Sequence, residues 1–151
     1  MNNNYSEKIE KEVDSFFNKS TFNISFKVIS KEDSFLIEVE TEEPKMLIGE
    51  RGQTLAEIQH LLRILLRKKL QENILLEVDI NGYKKKKEQA LKEVAIDVAD
   101  EVSFYKKEKI LPPMTSYERR IVHLALKERD DVETESVDRD SERRVVVKPL
   151  Y

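Results

Sequence analysis

The stretch Pro44–Lys69, PKMLIGERGQTLAEIQHLLRILLRKK, decides how the N-terminal half of this 151-residue chain folds. The chain has only three glycines, and two of them, Gly49 and Gly52, stand three positions apart within this stretch. An apolar run precedes the pair, and a long amphipathic segment follows it. Because glycine permits positive φ angles and the close approach of another backbone, the pair predicts a tight turn between two helices.

The segments on either side of this turn carry helix signals of their own. Pro44 suits the first turn of a helix that runs for one or two turns before Gly49 ends it. After Gly52, Thr54 and Glu57 have the spacing of a capping box. The expected apolar face of the second helix comprises Leu55, Ile58, Leu61, Leu62 and Leu65.

The rest of the first 82 residues predicts a small sheet around this pair of helices. An apolar stripe over residues 6–19 indicates a helix, and the alternating runs TFNISFKVI and SFLIEVE indicate two strands joined by the hairpin turn SKED. NILLEVDI indicates a third strand, which ends at Asn81-Gly82. The predicted order is helix, strand, strand, helix, helix, strand.

The second half predicts a separate small domain. A long helical pattern covers residues 83–107, and the extended piece KILPPM follows it. Thr115 and Glu118 form a capping box at the start of another helix. DVETESV and RRVVVKP indicate two strands around the turn DRDSE. We therefore expect an α+β protein with domains over residues 1–82 and 83–151. The expected apolar face of the helix after Thr115 comprises Ile121, Val122, Leu124, Ala125 and Leu126.

Composition excludes several classes of function. The chain has no cysteine, which excludes disulfides, thiolate metal sites and cysteine nucleophiles, and its two histidines exclude a His-rich metal site. No acidic motif near the glycine turn indicates a metal-dependent nuclease. We therefore expect no catalytic residue, no metal and no cofactor. The net charge of −3 argues against a nucleic-acid binder that works through bulk positive charge, and leaves open a local basic patch.

The chain carries no targeting or membrane signal. Its polar start, MNNNYSEKIEKE, does not have the pattern of a signal peptide. No apolar run approaches the roughly 20 residues that a membrane span needs. We expect a cytoplasmic protein without membrane insertion.

The turn Gly49-Glu50-Arg51-Gly52 is the first candidate site. A glycine turn before a helix N-terminus exposes N–H groups and the positive end of the helix dipole, which suits a phosphate. KH domains use such a GxxG loop to clamp the backbone of about four nucleotides. The alternative is an ordinary turn between helices with a glycine C-cap.

Arg119 and His123 form the second candidate site because residues four apart share one helical face. Arginine is a fork-shaped donor to phosphate, and histidine supplies a donor or a stacking surface. The alternative is a surface arginine and a histidine bonded to nearby backbone.

Two further groups of basic residues are candidates for phosphate contact. The run Lys84–Lys87 stands near the start of the long helix, where cations oppose the helix dipole, and this placement favours contact with phosphate. Within the run we single out Lys84 and Lys85. The alternative is that the run forms a solvated face of the helix. Arg139, Arg143 and Arg144 flank the last hairpin, and we single out Arg143 and Arg144. These arginines are expected either to contact RNA or to pair with acidic neighbours.

Two segments together resemble one family. IGERGQTLAEIQHLLRILLRK resembles the KH segment of the bacterial Jag, or SpoIIIJ-associated, proteins. ILPPMTSYERRIVHLAL, followed by RRVVVKP, resembles their RxxxH (R-3-H) domain, and NGYKKKKEQAL is similar to the basic start of that domain's long helix. The resemblance covers roughly residues 20–151.

The resemblance implies a type II KH domain of order αββααβ, followed by an RxxxH domain with a small three-stranded sheet and two helices. It implies binding of single-stranded RNA without catalysis, in post-transcriptional or cell-envelope-related regulation. The clamp corresponds to Gly49, Glu50, Arg51 and Gly52. The Arg/His pair corresponds to Arg119 and His123, with Tyr117 and Arg120 beside it.

The sequence departs from the family pattern in two places. Glu50 stands where the family usually has a basic residue, so the loop is locally neutral. Many relatives also carry an extra N-terminal domain, whereas this chain starts almost at the KH segment, and we do not expect a membrane or division-site role attached to that region. Glu50 and the acidic net charge favour an alternative, in which the KH half docks a second KH-domain protein or forms a homodimer and binds little RNA.

Overall fold

The protein, described here by a computed structural model, consists of two compact units, Met1–Lys84 and Lys85–Tyr151. The structure describes the backbone of residues 2–151 and the side chains of residues 4–151. Each unit contains a three-stranded sheet with helices packed against it, which confirms the predicted α+β class. Within residues 2–151, no helix combines the length and the apolar character that crossing a membrane requires.

The first unit has the predicted order of helices and strands, with one additional 3-10 turn. Strand β2 lies in the centre of its sheet, antiparallel to β1 and parallel to β3. The elements are α1 (Asn2–Asn18), β1 (Ile24–Ser30), β2 (Phe35–Thr41), α2 (Pro44–Ile48), the 3-10 turn (Glu50–Gly52), α3 (Gln53–Leu70) and β3 (Leu76–Ile80).

Alternation along the strands builds the first core. Every second residue of β2 and β3 is buried, as the period of two in a half-buried strand requires. The amphipathic faces of α1 and α3 cover this apolar surface. The buried residues include Ile37, Val39, Val78 and Ile80 of the sheet, Ile9 and Val13 of α1, and Leu62 and Leu66 of α3.

Two predictions about α3 are wrong. The helix begins at Gln53, directly after the 3-10 turn, so Thr54 lies inside the first turn and forms no capping box with Glu57. The buried face includes Leu66, whereas Leu61 and Leu65 are exposed. At 100° per residue, Leu66 lies nearer the centre of the buried face than Leu61 or Leu65, and the leucine-rich sequence alone does not fix that centre.

The exit from β3 is held by side-chain hydrogen bonds. The Asn81 amide accepts from the Thr41 N–H at 2.9 Å and donates to the Thr41 carbonyl at 2.8 Å. Asp79 Oδ1 accepts from the Lys84 N–H at 3.2 Å. These bonds hold the first residues of α4 (Tyr83–Tyr105) beside the sheet of the first unit.

The second unit contains the rest of α4 and a sheet with strand order β4-β6-β5, in which both pairings are antiparallel. Asp140 and Ser141 both have positive φ angles, 53° and 64°. The last hairpin therefore turns over two residues, and its strands extend into the predicted turn DRDSE. The elements are β4 (Lys109–Ile110), α5 (Ser116–Leu126), β5 (Val132–Arg139) and β6 (Glu142–Pro149).

The second core lies between α4, α5 and β6. The capping box of α5 is confirmed, because Thr115 Oγ1 accepts from the Glu118 N–H at 3.2 Å and Glu118 Oε2 accepts from the Thr115 N–H at 2.9 Å. Leu124, predicted to lie on the apolar face of α5, is exposed. The buried core residues include Ala95, Val98, Val102, Val122, Leu126, Val145 and Val147.

Candidate nucleic-acid interface

The GERG turn, Gly49–Gly52, joins α2 to α3 through left-handed backbone. Gly49, Arg51 and Gly52 have φ angles of 73°, 54° and 78°. The Gly49 N–H closes α2 with a hydrogen bond of 2.9 Å to the Lys45 carbonyl. Gly52 then takes the N-cap position of α3, and no side chain caps this helix. The positive end of an 18-residue helix therefore opens at the turn without a side-chain acceptor of its own.

Both glycines are also required by close approaches within the protein. A Cβ built on Gly49 would lie 2.1 Å from Thr54 Oγ1 and 2.8 Å from Thr54 Cβ. A Cβ built on Gly52 would lie 3.1 Å from Cε1 of the Tyr83 ring. The two glycines thus let the turn pack against α3 on one side and against the start of α4 on the other.

The two central residues of the turn point into solvent. Glu50 and Arg51 are both exposed, and neither side chain makes a hydrogen bond or ion pair within the described part of the chain. The turn therefore presents one negative and one positive side chain beside the N-terminus of α3. A phosphate at this place would meet attraction from Arg51 and repulsion from Glu50.

Lys84 lies at the same end of the first unit. Its Nζ donates to Gln59 Oε1 on α3 at 3.3 Å, and the same oxygen accepts from the Val78 N–H at 3.0 Å. The contact brings a cation to the side of α3, two turns from the GERG turn. Lys85, the first residue of the second unit, is exposed.

Arg119 and His123 share one face of α5, and both are bonded within the second unit. Arg119 Nη1 donates to the Met114 carbonyl at 2.7 Å, and Nη2 donates to Ser116 Oγ at 3.3 Å. His123 Nδ1 lies 2.6 Å from Thr134 Oγ1 on β5. His123 Nε2 lies 2.8 Å from the hydroxyl of Ser136, two residues further along that strand. The ring is thus held at both nitrogens.

The surroundings of His123 favour its neutral form. Burial lowers the pKa of His123 below its ordinary value of 6.5, and the charge of Arg119 lowers it further. In a neutral ring one nitrogen donates to a hydroxyl and the other accepts from one. Thr134 and Ser136 can supply both roles, because a hydroxyl donates and accepts.

Tyr117 and Arg120 lie on the outward side of α5. Both side chains are exposed. The Tyr117 hydroxyl lies 3.5 Å from Glu88 Oε2 on α4, at the limit of a hydrogen bond. The Arg120 side chain makes no hydrogen bond or ion pair with any residue that the structure describes.

Arg143 and Arg144 near the hairpin end of β6 have acidic partners. Arg143 Nε lies 3.2 Å from Asp138 Oδ1, and Arg144 Nη2 lies 3.2 Å from Glu142 Oε2. The Nε of Arg144 is buried and has no hydrogen-bond partner within the described residues. The ion pairs expected as the alternative to RNA contact are therefore present at both positions.

Comparison with known proteins places the chain in a family. The family model of the R-3-H domain matches residues 89–149. A protein named RNA-binding protein KhpB from Clostridium symbiosum is 31% identical over 124 residues, which cover 82% of this chain and 56% of the relative. KhpB of Bacillus subtilis is 33% identical over 108 residues, covering 70% of this chain and 52% of the relative. The chain belongs to the Jag family.

This assignment confirms the resemblance drawn from the two motifs. A third relative, KhpB of Lactiplantibacillus plantarum, is 32% identical over 108 residues, which cover 72% of this chain and 34% of the relative. The chain thus spans about half or less of the length of the curated relatives that it matches.

The predicted contact residues of this Jag-family protein form two groups, one in each unit. The GERG turn and Lys84 belong to the first unit. The other predicted residues belong to the second unit, where α5 carries Tyr117, Arg119, Arg120 and His123, the start of α4 carries Lys85, and β6 carries Arg143 and Arg144.

Sequence reasoning missed three residues that shape these sites. Tyr83 packs against Gly52, and Thr134 and Ser136 hold the His123 ring. The signal for Tyr83 was its place directly after the Asn81-Gly82 turn. Thr134 and Ser136 stand two apart on a strand, so they share a face, but nothing local connects that face with a histidine on another element.

Proposed function

We propose that this Jag-family chain binds single-stranded RNA through its phosphate backbone and catalyses no reaction on it. The GERG turn is the contact of the first unit, which acts as a KH domain, and the surface around α5 is the contact of the R-3-H unit. The observation that carries the proposal is the N-terminus of α3, which has no side-chain cap and follows a left-handed turn with an exposed arginine. The printed names of the three relatives, all RNA-binding proteins, support it.

Phosphate contact predicts how the affinity responds to salt. Cations that neutralise phosphates release condensed counterions, so the logarithm of the association constant falls linearly with the logarithm of the salt concentration. For single strands the slope is about −0.7 for each phosphate contacted. Glu50 opposes one of these contacts, by up to about 1 kcal/mol in an exposed and screened loop.

A salt titration of the full chain with a short single-stranded RNA tests the proposal. Glu50→Lys should tighten binding and steepen the salt slope, and Arg51→Gln should weaken binding and flatten the slope. Glu7→Lys is the matched control, because it makes the same charge change on α1, away from the GERG turn. Tyr5, two residues earlier on α1, pairs through its hydroxyl with Glu72, which lies beyond the far end of α3. Absence of wild-type binding at low salt would overturn the proposal.

A second measurement tests the absence of catalysis. RNA incubated for hours with the full chain and Mg²⁺ should keep its length on a denaturing gel, as it does without protein. Shortened products that persist through repeated purification and disappear with Arg51→Gln would contradict this part of the proposal.

An exposed apolar face favours a second function for the first unit. Leu61, Ile64 and Leu65 are all exposed, and at 100° per residue they lie within about 100° of arc on α3. Helices with such a face dock against a similar face. We propose as the second candidate that this face docks another KH-domain protein or a second copy of this chain. Sedimentation of the wild type and of Ile64→Lys tests the homodimer, which the lysine should dissociate.

A further inference from the structure

Helix α5 presents two polar sides that differ in their exposure and in their hydrogen bonds. The side that contains Arg119 and His123 is half-buried, and these two side chains are bonded to Met114, Ser116, Thr134 and Ser136. To bind a phosphate directly, His123 must first give up a hydrogen bond that it already makes within the unit. Arg119 uses two of its five N–H donors in bonds that hold its side chain against the start of α5.

The hydrogen bonds of Arg119 and His123 connect α5 to its surroundings at both of these residues. His123 connects the helix to β5 through two hydroxyls. Arg119 connects it to the carbonyl of Met114, whose own N–H donates to the Arg143 carbonyl of β6 at 3.1 Å. The pair therefore ties α5 to β5 directly and to β6 through Met114.

The neighbouring, outward side of α5, centred about 100° around the helix from Arg119 and His123, has the composition of a contact surface. Tyr117, Arg120, Leu124 and the C-cap residue Lys127, whose backbone is still helical, fall within about 80° of arc at 100° per residue. Tyr117 and Leu124 are 60% and 57% exposed. Arg120 and Lys127 are exposed, and neither has a hydrogen-bond or ion-pair partner among the residues that the structure describes.

We propose that the outward face of α5, formed by Tyr117, Arg120, Leu124 and Lys127, contacts single-stranded RNA, and that Arg119 and His123 are positioning residues that hold this face in place. The assignment rests on the proposed function and names the contacts within it. Arg120 binds one phosphate through its guanidinium fork, and Lys127 binds another as a point charge. Tyr117 offers its ring to a base.

The acidic groups nearest to Tyr117 and Arg120 are engaged by other residues. Glu118 is engaged by Lys87 Nζ at 2.8 Å and by the Thr115 N–H at 2.9 Å. Glu88, beside the Tyr117 hydroxyl, pairs with Lys92 at 2.9 Å. The positive charges of Arg120 and Lys127 are thus not cancelled by a partner, which is the condition for attracting a phosphate.

The adjacent arginines provide a matched pair of variants. Arg119→Gln and Arg120→Gln make the same chemical change one residue apart. Binding of the full chain to a short oligouridylate is measured over a range of salt, and urea unfolding is measured in parallel. Arg120→Gln should weaken binding several-fold, flatten the salt slope by about 0.7, and leave stability close to wild type. Tyr117→Leu should weaken binding about fivefold or more without changing the slope.

The variants at Arg119 and His123 should behave in the opposite way to Arg120→Gln. Arg119→Gln and His123→Gln should lower stability and keep the wild-type salt slope wherever the protein is folded. If either variant unfolds, the double change Thr134→Val with Ser136→Ala replaces it, because it removes the partners of His123 and leaves α5 intact. A positioning role predicts that this double change lowers stability and weakens binding with an unchanged slope.

The outcomes separate this inference from the proposed function. If wild type binds and Arg119→Gln flattens the slope while Arg120→Gln does not, the motif arginine itself contacts phosphate and the inference is wrong. If freeing the His123 ring by the double change tightens binding, the ring is a contact residue and the positioning role is wrong. If wild type does not bind at low salt, the proposed function fails, and the assignment of this face fails with it.

Discussion

A Cβ built on Gly49 would lie 2.1 Å from Oγ1 of Thr54, far inside the distance at which nonbonded atoms meet. The first glycine of the GERG turn is therefore required by the packing of the protein itself, whether or not RNA is bound. Gly82 provides a contrast, because it has a φ angle of 68° but nothing lies within 4 Å of a Cβ built there.

This contrast predicts different costs for the same substitution. Gly82→Ala should lower the free energy of unfolding by about 1–2 kcal/mol, the cost of left-handed backbone alone. Gly49→Ala should cost clearly more, because it adds the collision with Thr54. Urea unfolding followed by circular dichroism measures both. Equal losses would mean that Thr54 moves aside without cost. Glu50 and Arg51 are better positions for tests of RNA contact at this turn, because both side chains are exposed.

The lowered pKa of His123 predicts that the second unit loses stability in mild acid. The unfolded chain takes up a proton near pH 6.5, whereas the folded ring, buried beside Arg119, takes it up only at lower pH. The unfolded state then binds more protons, so the free energy of unfolding falls as the pH falls from about 7 towards 5. The slope for one proton cannot exceed about 1.4 kcal/mol per pH unit.

Urea unfolding at pH 7.5, 6.5 and 5.5 tests this dependence. The slope should be smaller in His123→Gln than in the wild type. His60→Gln, which removes the exposed histidine of α3, is the matched control and should retain the wild-type slope. Carboxylates with lowered pKa values, such as Glu118, act at lower pH, below about 4.5. A slope that survives in His123→Gln would contradict the prediction.

Glu118, which is partly buried, is predicted to matter more for stability than the more exposed carboxylates of α4 and α5. Burial opposes ionisation, but bonds from Lys87 and from the Thr115 N–H outweigh it and lower the pKa of Glu118. Thr115→Ala should cost about 1 kcal/mol through loss of the N-cap. Glu118→Ala removes both the reciprocal cap and the ion pair and should cost more. Glu88→Ala, which breaks an exposed i, i+4 pair with Lys92, should cost least. A reversed order in thermal melting would refute this ranking.

Arg129 should resist replacement by lysine. Its guanidinium binds both oxygens of Asp131, at 2.8 and 2.6 Å, and also Asp100 Oδ1 on α4 at 2.6 Å. These bonds raise the pKa of Arg129 above its already high value, the one to Asp131 most strongly. Lysine keeps the charge but not the planar fork. Arg129→Lys should therefore lower the melting temperature, whereas Arg139→Lys, at an exposed position, should not. Equal melting temperatures would show that charge alone suffices.

Local patterns in the sequence predict the order of elements well. Alternation identified the strands, Thr115 and Glu118 identified the start of α5, and Gly49 identified the end of α2, because each signal lies within a few residues of its effect. The prediction of a capping box at Thr54 failed because it rested on the local pattern alone, and the turn before α3 changed where the helix begins. A 3-10 turn brings the chain into α3 two residues earlier, and the Thr54 hydroxyl lies against Gly49 instead.

Contacts between distant segments could not be predicted in this way. His123 and Ser136 are 13 residues apart, and their contact depends on how α5 lies on the sheet. The sequence assigned Arg119 and His123 to one face correctly, but it could not tell whether that face is turned outward. Leu124 shows the same limit, since an apolar residue at helical spacing was expected in the core and lies in solvent.

The order of strands in the second sheet has a consequence for synthesis on the ribosome. Strand β6 is the last strand in the chain, yet it lies between β4 and β5, which do not pair with each other. The sheet of the second unit cannot form until residues 142–149 have been translated and released. The first unit has all its strands by residue 80 and can fold while the rest of the chain is still being made. Until then, the apolar faces of α4 and α5 have no sheet to pack against. During this interval the nascent chain exposes these faces, which makes it prone to aggregation and proteolysis.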